Sequence, residues 1–379
     1  MSVQDKKNKE GPHKLLALDG GGIRGVMTLE VLAKMEGELQ DQLGHHDDFV
    51  LADYFDYIAG TSTGAIIATC LSLGMRVDDI RRFYIDSGPA MFDKTNLIRR
   101  YYLNKFHDQQ LAQKLQDVIA EKTGEQVAML GSEAIRTYLL LVLRNATTDS
   151  PWPVSNNPEA KYNDRARPDC NLDLPLWQLV RASTAAPTYF PPEVIKIGPH
   201  EFIFVDGGVT MYNNPAFQLF LMATAKPYKL EWPAGEDKML LISIGTGAAA
   251  NANENLSPEQ MNIVYNASSL PSALMFAALN EQDFLCRVFG NCLNGGEIDR
   301  EVWDMKGDIG KGPVIPKLFT YMRYNAELTR TGLNGLGLPH IEPRSVQQLD
   351  SVDHISELQE VGRAVAKQVN IAHFAGFLQ

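Results

Sequence analysis

Two glycine-rich turns near the start of the chain hold the residues best suited to acyl chemistry. Gly60-Thr61-Ser62-Thr63-Gly64 sets a serine between two glycines. Glycines at these positions permit a sharp strand-to-helix turn that exposes the hydroxyl at its apex, as a nucleophile elbow does. Asp19-Gly20-Gly21-Gly22-Ile23-Arg24-Gly25 is the other turn. Its Gly20, Gly21 and Gly22 amides are free of side-chain obstruction and open a helix, where N–H groups and the helix dipole favour an anion. A serine that attacks an ester carbonyl needs such donors where negative charge develops. Ser62 is therefore the candidate nucleophile, with Gly60 and Gly64 shaping its elbow. Gly20, Gly21, Gly22 and Gly25 form the candidate oxyanion loop. Arg24 adds a positive charge that could hold the loop or a phosphate headgroup.

A serine hydroxyl is a poor nucleophile until a base takes its proton. The eight histidines stand at 13, 45, 46, 107, 200, 340, 354 and 373, and none ends a strand within an evident motif. Asp206 is the better base. It follows the apolar run 202–205, and Gly207 and Gly208 leave room beside it. In a parallel sheet the C-terminal strand ends line the ligand crevice, which would bring Asp206 to Ser62. A free aspartate titrates at about 3.9, so burial must raise it, and it accepts the proton only as attack proceeds. Such a mechanism leans on the oxyanion loop. Each motif alone has a plainer reading, a serine-capped turn or an ordinary Asp-Gly-Gly turn. Gly20 to Gly25 also fits the dinucleotide fingerprint G-x-G-x-x-G. That reading wants an acid at the end of a second strand, yet Asp47 and Asp48 follow the polar Gly44-His45-His46.

These residues need a scaffold, and the pattern supplies one. Apolar runs at 15–18, 55–59, 137–144, 202–205 and 239–244 read as strands. Helical spacing covers 26–43, 65–73, 176–186, 272–285 and 346–369. Alternation of the two predicts an α/β fold with a parallel sheet covered on both faces. Residues 150–173, rich in Pro, Asn and Asp, read as a loop, and 248–262 as a polar exposed one. Residues 76–125 interleave aromatic and basic side chains. They read as a helical insertion over the site that touches lipid, or as a helical layer with a solvated basic edge. We expect a polar tail over 1–13, a catalytic core over 14–218, and a C-terminal part, 219–379, that completes the same domain.

Bulk composition narrows the function classes. Of 379 residues 45% are apolar, enough for a sizeable core. Thirty-five basic against 46 acidic residues, a net charge of -11, argue against a binder of nucleic acid polymers. Cys70, Cys170, Cys286 and Cys292 form no C-x-x-C pair, which disfavours zinc and thioredoxin chemistry and suits a reducing, cytoplasmic setting. The lysine-rich start has no apolar h-region, and no apolar run nears the roughly twenty residues of a span. Membrane contact is expected to be peripheral.

Asp-Gly-Gly-Gly-Ile-Arg-Gly, Gly-Thr-Ser-Thr-Gly and Asp206-Gly207-Gly208, in that order, resemble the patatin-like phospholipase family. Arg181-Ala182-Ser183-Thr184-Ala185-Ala186-Pro187, Phe190-Pro191-Pro192 and Asn213-Asn214-Pro215-Ala216 resemble it too. The likeness runs from about residue 14 to 217. Beyond 248 the chain is similar to C-terminal extensions of bacterial members. The resemblance implies a three-layer α/β/α fold with a mainly parallel sheet and helical insertions. It implies a Ser62–Asp206 dyad and an oxyanion hole from Gly20–Gly22 with Arg24 nearby. It also implies hydrolysis of phospholipid or lysophospholipid esters through an acyl-enzyme, without metal or cofactor. Gly208 stands where many members have alanine, which leaves the base in place. Some stand-alone bacterial members are antiphage effectors that degrade membranes. Carried to this chain, that role implies a cyclic nucleotide as activating partner, although no residue marks its pocket. The alternatives are an acyltransferase or carboxylesterase on the same fold, or a lipid-binding or storage protein with incidental activity.

Overall fold

The computed structural model describes residues 3–44, 48–92, 108–187, 189–249, 263–307 and 316–378. Its strands are β1 (His13–Leu18), β2 (Tyr57–Thr61), β3 (Tyr138–Asn145), β4 (Ser150–Ser155), β5 (Glu193–Ile197), β6 (His200–Asp206), β7 (Met239–Ile244), β8 (Asn291–Asn294) and β9 (Thr320–Tyr324). They form one sheet in the order β5-β6-β3-β2-β1-β7-β9-β8, with β4 paired to β3. The pairs β1–β2, β2–β3, β1–β7, β7–β9 and β8–β9 are parallel, and those of β4, β5 and β6 antiparallel. A mainly parallel α/β sheet thus stands where alternation of strand and helix predicted one.

Successive side chains of a strand point to opposite faces, so a strand buried on both sides feeds two cores. Leu16, Leu18, Ile58, Leu139, Leu141, Ile242 and Ile244 enter one core with the helices Gly25–Leu43, Thr63–Ser72 and Ile355–Ala366. Leu15, Ala17, Tyr57, Ala59, Leu140 and Leu241 enter the other, against the helix Ala216–Thr224. Each fully buried Leu or Ile contributes about 1.5–3 kcal/mol relative to exposure. The helix Ile355–Ala366 crosses Gly25–Leu43 closely because Gly362 has no side chain. A Cβ there would lie 2.8 Å from Met27 Cα.

Several expectations change. The polar start is docked, since Val3–Lys7 is helical and the buried Lys6 Nζ donates to the carbonyls of Ala52 (3.0 Å) and Phe55 (2.7 Å). Ser150–Ser155, expected as loop, is a strand. Pro151 and Pro153 are tolerated because β4 pairs only with β3, and its other side needs no donor. The helix expected over 346–369 is two, Pro343–Gln347 and Ile355–Ala366. Within 76–125, Val77–Phe92 and Asp108–Thr123 are helices. The basic run 94–105, and 250–262 of the expected polar loop, lie outside the described residues. All four cysteines are free. Among the described residues no helix is long and apolar enough to cross a membrane.

Candidate active site

β2 ends at Thr61, and the helix Thr63–Ser72 begins two residues later. Ser62 alone makes the turn, with φ 55° and ψ -123°. A non-glycine residue held there stores about 1–3 kcal/mol of backbone strain. The flanking glycines answer to space. A Cβ on Gly60 would collide with the Gly64 carbonyl, and one on Gly64 with the Leu18 carbonyl. Ser62 N–H donates to Ser183 Oγ (2.9 Å), whose hydroxyl donates to the Val142 carbonyl (2.6 Å). Ser183 thereby ties the elbow to β3, a task its sequence motif did not announce.

Asp206 reaches the elbow by a different route from the one the sequence suggested. β6 runs antiparallel to β3, so Asp206 does not end a parallel strand. Register brings it in instead. Val142 of β3 faces Thr61 of β2, and the next residue, Leu143, faces Asp206. Ser62 Oγ donates to Asp206 Oδ2 at 2.6 Å, and Gly208 N–H donates to Oδ1 at 2.6 Å. Both side chains are buried, at 9% and 3% exposure. Burial raises the Asp206 carboxyl to about 6, against the opposing pull of the Ser62 and Gly208 hydrogen bonds and the Arg181 charge. Among the described residues no histidine is hydrogen-bonded to Ser62 or Asp206.

The glycine loop continues from β1 beside this pair. Gly20 packs against Ser62, where a Cβ would lie 3.2 Å from the serine Cβ. Its N–H is occupied by the Asn213 carbonyl at 3.1 Å. That leaves the N–H groups of Gly21 and Gly22 without an acceptor among the described residues, so two amides of the three are available. Gly22 takes φ 60°, and a Cβ on it would strike the Leu349 carbonyl. The partly buried Arg24 donates from Nη1 to the Gln347 carbonyl (3.2 Å) and from Nε to the Gly21 carbonyl (3.4 Å). Burial lowers it to about 10, so it stays cationic at neutral pH. Gly25 lets the loop lie against Thr63, whose Oγ1 would be 2.6 Å from an added Cβ. A cavity of about 170 Å³ opens beside the loop, lined by Arg24, Asn213, Met275, Phe276, Leu279 and Leu349 among others.

The patatin-like phospholipase family model matches residues 16–220. The chain belongs to that family. As a patatin-like phospholipase it is a lipid acyl hydrolase, and the matched stretch holds both glycine turns and Asp206. Patatin-T5 of Solanum tuberosum is 28% identical over 315 residues, 74% of this chain and 77% of the relative. Patatin-17 of Solanum cardiophyllum is 28% identical over 318 residues, with the same coverage. VipD from Legionella pneumophila is a solved structure at TM-score 0.37 and 14% identity, covering 93% of this chain and 67% of its own. The family match stops short of Arg323, which the sequence reading also missed. Its Nη1 and Nη2 donate to Asp19 Oδ1 (2.9 Å) and Oδ2 (2.5 Å), so the aspartate that opens the patatin loop is half of a buried ion pair. Burial opposes the Arg323 charge, but Asp19 overcomes it and holds the guanidinium above its usual range.

Proposed function

We propose that this patatin-like chain cleaves fatty-acyl esters of phospholipids or lysophospholipids through a Ser62–Asp206 dyad. The observation that carries the reading is the 2.6 Å hydrogen bond from Ser62 Oγ to Asp206 Oδ2 in a buried site. Ser62 Oγ attacks the ester carbonyl as its proton passes to Asp206. The oxyanion is met by the N–H groups of Gly21 and Gly22. Collapse breaks the ester bond, and Asp206 returns its proton to the leaving alcohol. Water, giving its proton to Asp206, then attacks the acyl-enzyme, and a fatty acid leaves as Ser62 is restored. Asp206 suits both halves because a base near 6 is mostly ionised at pH 7 and still a competent acid. Arg24 remains a cation beside the loop, suited to a lipid phosphate. The chain would meet its lipid at the membrane surface, from the cytoplasmic side.

A phospholipid panel read by mass spectrometry of released fatty acids tests this, alongside fluorophosphonate labelling. Ser62→Ala should abolish labelling, and both Ser62→Ala and Asp206→Asn should lower turnover by about 10³-fold or more. Labelling that survives in Ser62→Ala removes the nucleophile assignment, and normal turnover in Asp206→Asn removes the base. The same panel run with and without cyclic dinucleotides tests the activating partner that the family resemblance implies. A rate indifferent to every nucleotide removes it.

A further inference from the structure

The described amides of the glycine loop differ in what aims them. A trans peptide sets its C=O and N–H on opposite sides, so whatever holds the carbonyl fixes the direction of the next N–H. The Gly21 carbonyl accepts from the backbone N–H of Arg24 at 3.2 Å, so the Gly22 N–H is aimed by the loop itself. The Gly20 carbonyl has a different partner. Thr246 Oγ1 donates to it at 2.8 Å from 226 positions along the chain. Thr246 is buried, at 1% exposure. Gly21 has an extended φ of 171°, which any residue adopts, so it is glycine for room. A Cβ there would collide with the Thr246 hydroxyl.

Thr246 is itself held. It follows β7 in Gly245-Thr246-Gly247. The Gly245 carbonyl accepts from Thr28 Oγ1 (3.0 Å), and the Gly247 N–H donates to Asn325 Oδ1 (2.8 Å). The threonine is thus clamped between a helix and the end of β9, with its hydroxyl fixed on the Gly20 carbonyl. We infer that Thr246 is a positioning residue that aims the Gly21 N–H at the oxyanion. The inference rests on the proposed Ser62–Asp206 mechanism.

The test compares Thr246→Val, which keeps the shape and removes the donor, with Thr246→Ser, which keeps the donor. Thr246→Cys offers only a weak S–H donor. Losing an oxyanion donor outright lowers kcat by roughly 10²–10³-fold, so a misaimed one should lower it by about 10-fold or more. Thr246→Val should show that fall in kcat and in the rate of fluorophosphonate labelling. Its KM should stay within about threefold of wild type, and the pH at which its activity falls on acidification should not move. Thr246→Ser should lie within about threefold of wild type, and Thr246→Cys between the two. Full kcat in Thr246→Val overturns the inference, as does a loss seen only in KM, or a loss Thr246→Ser shares. If Thr246→Val does not fold, full kcat in Thr246→Cys overturns it instead. Wild-type protein that fails to label at Ser62 would sink the dyad reading itself, a different outcome from a labelled enzyme indifferent to Thr246.

Discussion

Asp206 is held between two opposing demands. It must be buried to lie against Ser62, and burial disfavours its charge. Two hydrogen bonds and Arg181 restore part of that charge, leaving the carboxyl near 6. In the proposed mechanism only the carboxylate form accepts the Ser62 proton. Activity should therefore be full above pH 7 and fall as pH drops through about 6, where an ordinary carboxylate would hold until about 4. A kcat/KM profile from pH 4 to 8 checks this, and an acid limb near 4 would contradict it. Ser62 and Asp206 were legible in the sequence because each announces itself locally, by glycines at fixed offsets next to an apolar run. Ser183, Thr246 and Arg323 were not. Their value lies in a partner far along the chain, and which partner they meet is decided by strand order. Asp19 shows the difference: its motif is conspicuous, but its purpose is invisible until Arg323 is beside it.

At the scale of elements, one ion pair ties three strands. Arg323 of β9 reaches across β7, donating to Ser243 Oγ at 2.6 Å, and ends on Asp19 just past β1. The glycine loop is thereby anchored at its first residue. Removing one partner of a buried pair strands the other charge, which typically costs about 3–5 kcal/mol. Arg323→Met should destabilise the protein by about that much in urea unfolding. Asp19→Leu combined with Arg323→Met should recover most of the loss, because nothing charged then remains unpaired. If the double variant is no better than the single one, the loss comes from packing instead. Strands and helices of the core were readable from apolar spacing, because burial on both faces leaves unbroken runs such as residues 137–144. β4 was not readable, since its prolines speak against a strand and only its place at an unpaired side permits them. The break between Pro343–Gln347 and Ile355–Ala366 was hidden because amphipathic spacing continues across it.

For the whole molecule, the family match ends at residue 220, but the sheet does not. β1 lies between β2, which follows closely, and β7, at Met239–Ile244, with six residues of β1 paired to β7. A chain ending at residue 218 would expose that side of β1 and lose β7, β8 and β9. Such a fragment should be insoluble or lack a cooperative unfolding transition. A fragment that unfolds cooperatively and hydrolyses lipid would show that residues 219–379 are separable.

The pairing of Asp19 with Arg323 also sets an order in time. A ribosome makes Ser62 well before Arg323. Ile23 N–H, which seats the turn after Gly22, waits still longer for the Leu349 carbonyl. A nascent chain thus carries its candidate nucleophile before the residues that hold the loop beside it have been made. On the proposed mechanism, nucleophile and oxyanion loop would come together at different moments, the serine first and the contacts that seat the loop afterwards.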